Sequence, residues 1–203
     1  MSALAAQARN HPGRLALAIR RKAGRFGKRY EEVSADELER DANAFAAALA
    51  HHGIRNGMRT AVMIPPGREF CAAIFALLKL GAPPVLIDRG IGLRNVGHAI
   101  QRAVPAAFLG VRKADLARRI FGWGRDSIGI SLTVESLSGR LLKQGSEVTE
   151  DRRATRSLDD LAAIAFTSGS TGRPKGVMFD HGNLCAQADL VQELLGPCAG
   201  GPH

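Results

Sequence analysis

An α/β fold, with mixed but largely parallel sheets flanked by helices, is what this 203-residue sequence predicts. Three observations carry that expectation. Short apolar runs of strand length recur along the chain: TAVMI (60–64), PVLID (84–88), AAFLG (106–110) and LAAIAF (161–166). Stretches with the length and period of helices, 68–80 and 93–103, lie between the first three. Glycine and proline stand at the joints, as in Pro65-Pro66-Gly67 and Gly81. Strands that alternate with helices in this way build a parallel or mixed sheet.

Taken in order, LALAIRR (15–21) and RYEEV (29–33) read as strands joined by a basic, glycine-containing turn. Ser34 and Glu37 have capping-box spacing, and Leu38, Ala42, Phe45 and Leu49 continue one helical stripe until Gly53. TAVMI follows as a buried strand, REFCAAIFALLKL (68–80) as a helix closed by Gly81, and PVLID as the next strand. The rhythm repeats with a helix over 93–103, a strand over 106–110, a helix over 113–121 and a short strand near 128–133. Residues 143–159 are polar and unpatterned, the mark of a surface linker. LAAIAF and GVMF (176–179) are two further strands, and Asn183 is the expected cap of a last helix with Leu184, Ala188, Val191 and Leu195 on one face. The expected division is a first α/β sheet region over 1–142, a polar linker over 143–160, and the start of a second sheet region over 161–203.

Composition narrows the function classes. Apolar residues make up 45% and charged residues 23%, which sets the chain apart from disordered sequences. The N-terminus lacks the basic and apolar regions of a secretory signal, and the longest apolar run, 71–78, is far below the roughly 20 residues that span a bilayer. A cytoplasmic protein without a transmembrane segment is expected. Cys71, Cys185 and Cys198 have neither the pairing of a disulfide framework nor the spacing of a zinc site, and read as reduced, mostly buried thiols. The net charge of +9 raises the question of nucleic acid. Residues 20–29 hold the densest basic run, but the other arginines are scattered and no recognition motif accompanies them, so a solvated turn is the better reading.

The stretch that carries chemistry is TSGSTGRPKG, residues 167–176. Its glycines let the main chain approach a ligand, Ser168, Ser170 and Thr171 add hydroxyl donors, and Lys175 adds a mobile cation. That donor set suits a polyphosphate. A Walker A loop is excluded because Lys175 precedes Gly176 rather than Ser or Thr, and no helix opens there. An esterase elbow is excluded because Ser168, not glycine, stands two before Ser170.

With AIAF before it and VMFDHGNL after it, this string resembles the signature phosphate loop of the acyl-adenylate-forming enzymes, the family of acyl-CoA synthetases, luciferases and nonribosomal peptide adenylation domains. The upstream order of elements, with the GREF helix and the GAPPVLID strand, is similar to the family's N-terminal region. VLIDRGIGLRN and LARRIFGWGR resemble the branch with olefin β-lactone synthetases and fatty-acid ligases, although Arg89 stands where that branch would place proline.

The resemblance implies the incomplete N-terminal domain of an adenylate-forming enzyme, one that activates a carboxylic, fatty acid with ATP and passes the acyl-adenylate to an acceptor such as coenzyme A. It implies that Thr167, Ser168, Gly169, Ser170, Thr171 and Gly172 line the triphosphate, that Lys175 steadies the departing pyrophosphate, and that Mg²⁺ arrives with ATP. It implies a loop disordered without ATP. His181, Asp88 and the His51-His52 pair read as structural. The family's later segments, an aromatic-Gly-x-Thr-Glu motif, a ribose-binding aspartate and a C-terminal lysine, are missing from these 203 residues. The expectation is therefore a piece that needs a complementary C-terminal polypeptide, or alternatively a non-catalytic remnant that binds nucleotide or a partner chain.

Overall fold

The computed structural model describes residues 3–23, 27–141, 157–167 and 174–195. It is an α/β structure in which six strands form one sheet between two layers of helices. Helix α1 (Ala3–Asn10), which sequence patterning does not mark, leads into the antiparallel pair β1 (Leu15–Ala23) and β2 (Gly27–Ser34). The expected hairpin is present, and residues 24–26 at its tip lie outside the described residues.

Helix α2 (Ala35–His51) starts where the capping box places it, with the Ser34 amide donating to the Glu37 carboxylate at 2.9 Å. Strand β3 (Thr60–Met63) is buried throughout. Helix α3 (Arg68–Leu80) then ends on Gly81, whose φ of 66° and ψ of 24° are left-handed and favour the residue without a Cβ. Next come β4 (Pro84–Ile87), a short 3-10 turn over Arg89–Ile91, α4 (Leu93–Ala103), β5 (Ala107–Gly110), α5 (Arg112–Phe121) and β6 (Ile130–Thr133). Helix α6 (Val134–Leu141) follows, again without a clear sequence signal. Residues 142–156, most of the expected linker, lie outside the described residues, and 157–160 form an exposed turn into β7 (Leu161–Thr167). Strand β8 (Lys175–Asp180) and α7 (His181–Leu195) complete the order.

The sheet order is β6-β5-β3-β4-β7-β8. The first five strands run parallel, and β8 is antiparallel to β7. Because β7 pairs with β4, the last two strands extend the same sheet, where the sequence led us to expect a second sheet to begin. Side-chain alternation splits the core in two. Val62, Leu86, Leu109 and Leu132 face α2, α3 and α6, while Met63, Val85, Phe108, Ile164 and Phe166 face α4 and Trp123. Burial on both faces explains why these strands read as unbroken apolar runs.

Two polar clusters tie helices into this frame. Between α2 and α3, the Lys79 ammonium donates to Glu39 Oε1 and, at 2.8 Å, to Asn43 Oδ1. Arg68 and Asp41 add a second link between the same helices, Nε to Oδ2 at 2.5 Å. Between α5 and β6, the Asp115 carboxylate accepts from the Ser131 hydroxyl at 2.7 Å and from the Arg118 and Arg119 guanidiniums. Burial pushes the Asp115 carboxyl up, but those three donors outweigh it and hold it below the usual carboxylate range. A depressed folded value means that this contribution is complete above the unfolded value and is lost as pH falls through the folded one. Asp115→Asn should therefore be less stable than the parent at pH 7, with the gap closing in denaturant melts carried below about pH 4.

Cys71 is half-buried, with its thiol pushed up by that burial, and Cys185 is exposed on α7, against the expectation of mostly buried thiols. A thiol on an outward helix position meets no packing that would enclose it. Cys198 lies outside the described residues. Among the described residues no helix is long and apolar enough to cross a membrane.

Candidate functional site

The carboxyl ends of β3, β4, β5, β6 and β7 share one edge of the sheet, and Thr167, the first residue of TSGSTGRPKG, ends β7 there. At β4 and β7 the chain parts in opposite directions: β4 returns through α4 to β5, while β7 turns outward into β8. Ligands of open α/β sheets occupy crevices at such divergences, outside the carboxyl ends of the strands.

Of the expected site residues, Thr167 and Lys175 are described, and the structure brings them together. They close the hairpin as Cα partners, Thr167 ending β7 and Lys175 opening β8, both exposed. Ser168, Gly169, Ser170, Thr171 and Gly172 belong to the segment 168–173, which lies outside the described residues, as does the expected loop disorder. Lys175 begins a strand and not a helix, which is the geometry that separates this loop from a Walker A loop.

Packing at the foot of the hairpin explains two residues of the motif. Pro174 is buried, so the chain is anchored one residue before the lysine. Gly176 lies opposite Phe166, and a Cβ there would come within 2.9 Å of the Phe166 ring. The glycine is thus a place for an aromatic ring, a role invisible in a motif read as a phosphate loop. Gly176→Val should cost about 1–3 kcal/mol through overpacking. A urea melt of Gly176→Val beside Gly176→Val/Phe166→Leu checks this, since the smaller partner should recover part of the loss.

Asp88, at the end of β4, turns its carboxylate onto the Gly90 amide at 2.9 Å and caps the short turn. His181 opens α7, its amide donating to the Asp160 carbonyl at 3.0 Å. His51 is exposed at the end of α2, and the His52 ring sits 2.8 Å from the Ala48 carbonyl. Asn183 is not the cap of α7. That helix begins two residues earlier, and the Asp180 carboxylate accepts from the Asn183 amide at 2.6 Å, which makes Asp180 the cap. Among the described residues no three His, Cys, Asp or Glu side chains gather as metal ligands.

The fold is thus a wound α/β sheet with an exposed hairpin at its carboxyl edge, the class in which ligands meet strand ends and not strand faces. The chain belongs to the AMP-binding enzyme family, whose model matches residues 4–200. It is 37% identical over 205 residues to an olefin beta-lactone synthetase of Xanthomonas campestris pv. campestris, covering 96% of this chain and 36% of that protein. The chain thus spans about a third of the length of this relative. Among solved structures it is similar to VinN in complex with 3-methylaspartate, with a TM-score of 0.73 and 25% identity over 96% of this chain and 50% of that one. The fold also matches ATP-bound MatB from Rhodopseudomonas palustris, with a TM-score of 0.68 and 24% identity over 81% of this chain and 33% of that one.

Proposed function

We propose that this chain carries the triphosphate-holding part of an ATP-dependent acid ligase, in which a carboxylate, fatty in type, attacks the α-phosphate to give an acyl-adenylate and pyrophosphate. The observation that carries the reading is the hairpin: a loop of hydroxyls and glycines sprung between paired Thr167 and Lys175 at the carboxyl edge of the sheet. The family match and the likeness to an olefin beta-lactone synthetase support acid activation.

In this reading Thr167, Ser168, Ser170 and Thr171 offer hydroxyls, and Gly169 and Gly172 let main-chain amides face the phosphate oxygens. Lys175 lies at the loop's exit, where its ammonium neutralises charge that grows on the leaving pyrophosphate. The loop's donors suit an anion and include no carboxylate, so Mg²⁺ would be held by the phosphates themselves. Coenzyme A is the acceptor we assign to the second step.

A complementary C-terminal polypeptide completes the enzyme in this proposal. Val177 and Met178 are exposed on β8, one of the two edge strands of the sheet, and a strand edge with apolar neighbours is a place for further chain. ATP–pyrophosphate exchange with a panel of fatty acids tests the proposal, using the chain alone and mixed with the C-terminal two-thirds of a relative. Carboxylate-dependent exchange in the mixture is expected. A folded chain that supports no exchange in either form would overturn the ligase reading in favour of a non-catalytic remnant.

A further inference from the structure

Helix α5 is turned inside out. Its mostly buried positions are charged: Asp115 is bonded to Ser131, and Arg118 lies over the Phe108 ring at 5.4 Å from the centroid. Ala114 and Ala117 pack against the core, but its large apolar residues face out, with Ile120 70%, Leu116 59% and Phe121 53% exposed. Leu116 and Ile120 are four residues apart and so form one ridge. At 100° per residue, Arg112 and Arg119 flank that ridge on one side and Lys113 on the other, and Arg125 follows in the next turn. Three acids lie nearby: Asp115 pairs with Arg118 and Arg119, Asp126 is exposed, and Glu135 accepts from the Arg112 amide, which leaves the side chains of Arg112, Lys113 and Arg125 as the exposed cations.

Nothing in the packing of the sheet requires these apolar groups outside, and an exposed cluster of this kind marks an interaction surface. Its charge selects the partner. We propose that α5 and the turn after it seat on an anionic lipid bilayer, with Leu116, Ile120 and Phe121 entering the acyl boundary and Arg112, Lys113 and Arg125 meeting the headgroups. A nucleic acid would use the cations but not the ridge. The inference stands apart from the ligase reading, because no residue of the 167–175 hairpin enters it.

The protein carries its own probe. Trp123 is the single tryptophan of the sequence and stacks on Phe121 with ring centroids 5.3 Å apart. The full chain is mixed with vesicles of phosphatidylcholine alone or of phosphatidylcholine with phosphatidylglycerol, each containing lipid brominated high in the acyl chain. Sedimentation and Trp123 fluorescence are read together. Binding at least about tenfold tighter to the anionic vesicles is expected from three basic groups, together with quenching of Trp123. Leu116→Gln/Ile120→Gln, at exposed positions, should abolish the quenching while leaving the circular dichroism unchanged. Lys113→Glu should weaken only the binding to anionic vesicles. Equal binding to both vesicles, binding without quenching, unchanged binding by the double variant, or retention on duplex DNA in place of vesicles would each overturn the proposal.

Discussion

Lys175→Ala is expected to lower carboxylate-dependent ATP–pyrophosphate exchange by about 10²-fold in the reconstituted enzyme, the scale set by removing one pre-placed donor from a developing anion. The residue opens β8 opposite Thr167, so its backbone is held by the hairpin ladder and only its side chain is free to meet phosphate. That placement makes the substitution specific. Truncating an exposed side chain removes no core contact, so melting behaviour should be retained while turnover falls. Lys175→Arg should recover part of the rate, since charge is preserved while the compact ammonium is replaced by a planar fork. Parent-like exchange from Lys175→Ala would remove the lysine from the reaction.

Lys79→Met is expected to destabilise the fold by about 3 kcal/mol or more, because breaking a buried pair strands its other charge. The Lys79 and Glu39 side chains are 6% and 12% exposed, and Glu39 Oε2 already has no hydrogen-bond partner. Taking away the ammonium leaves the charge of the carboxylate between α2 and α3 with only the Asn43 amide, 3.3 Å from Oε1, to offset it. Since domains hold only about 5–15 kcal/mol in total, the loss should be plain in a urea melt. The companion variant Glu39→Leu/Lys79→Met should lie much closer to the parent, because it removes both charges and keeps volume. If the single and double variants melted together, the buried pair would not be what links these helices.

Local signals carried far in this chain. The capping box at Ser34, the Pro65-Pro66-Gly67 stop and the Gly81 cap each act within a few residues, and α2, β3 and α3 lie where those residues set them. Helices α1 and α6 escaped notice because each is eight residues long, too short to show a period. The placement of β7 beside β4 is a contact across almost eighty residues, with Val85 opposite Ile164, and nothing near either strand announces it. The same is true of Lys79 reaching back to Glu39. In α5, spacing marks a helix but cannot say that Leu116 and Ile120 turn outward, since the Asp115, Arg118 and Ser131 cluster decides its rotation. At the candidate site, composition marked the loop and its lysine, while the seat that Gly176 makes for Phe166 became visible only with the register of β7 and β8.

In the proposed ligase, the hairpin between β7 and β8 holds the triphosphate of ATP. Amide chemical shifts of the ¹⁵N-labelled chain, followed through a titration with MgATP, test it most directly. Saturable shifts concentrated in residues 167–176 are expected, moved to a second position in the same residues when inorganic pyrophosphate displaces the nucleotide and much reduced in Lys175→Ala. Saturable shifts centred elsewhere, on the basic β1–β2 hairpin for example, with 167–176 unmoved, would contradict it.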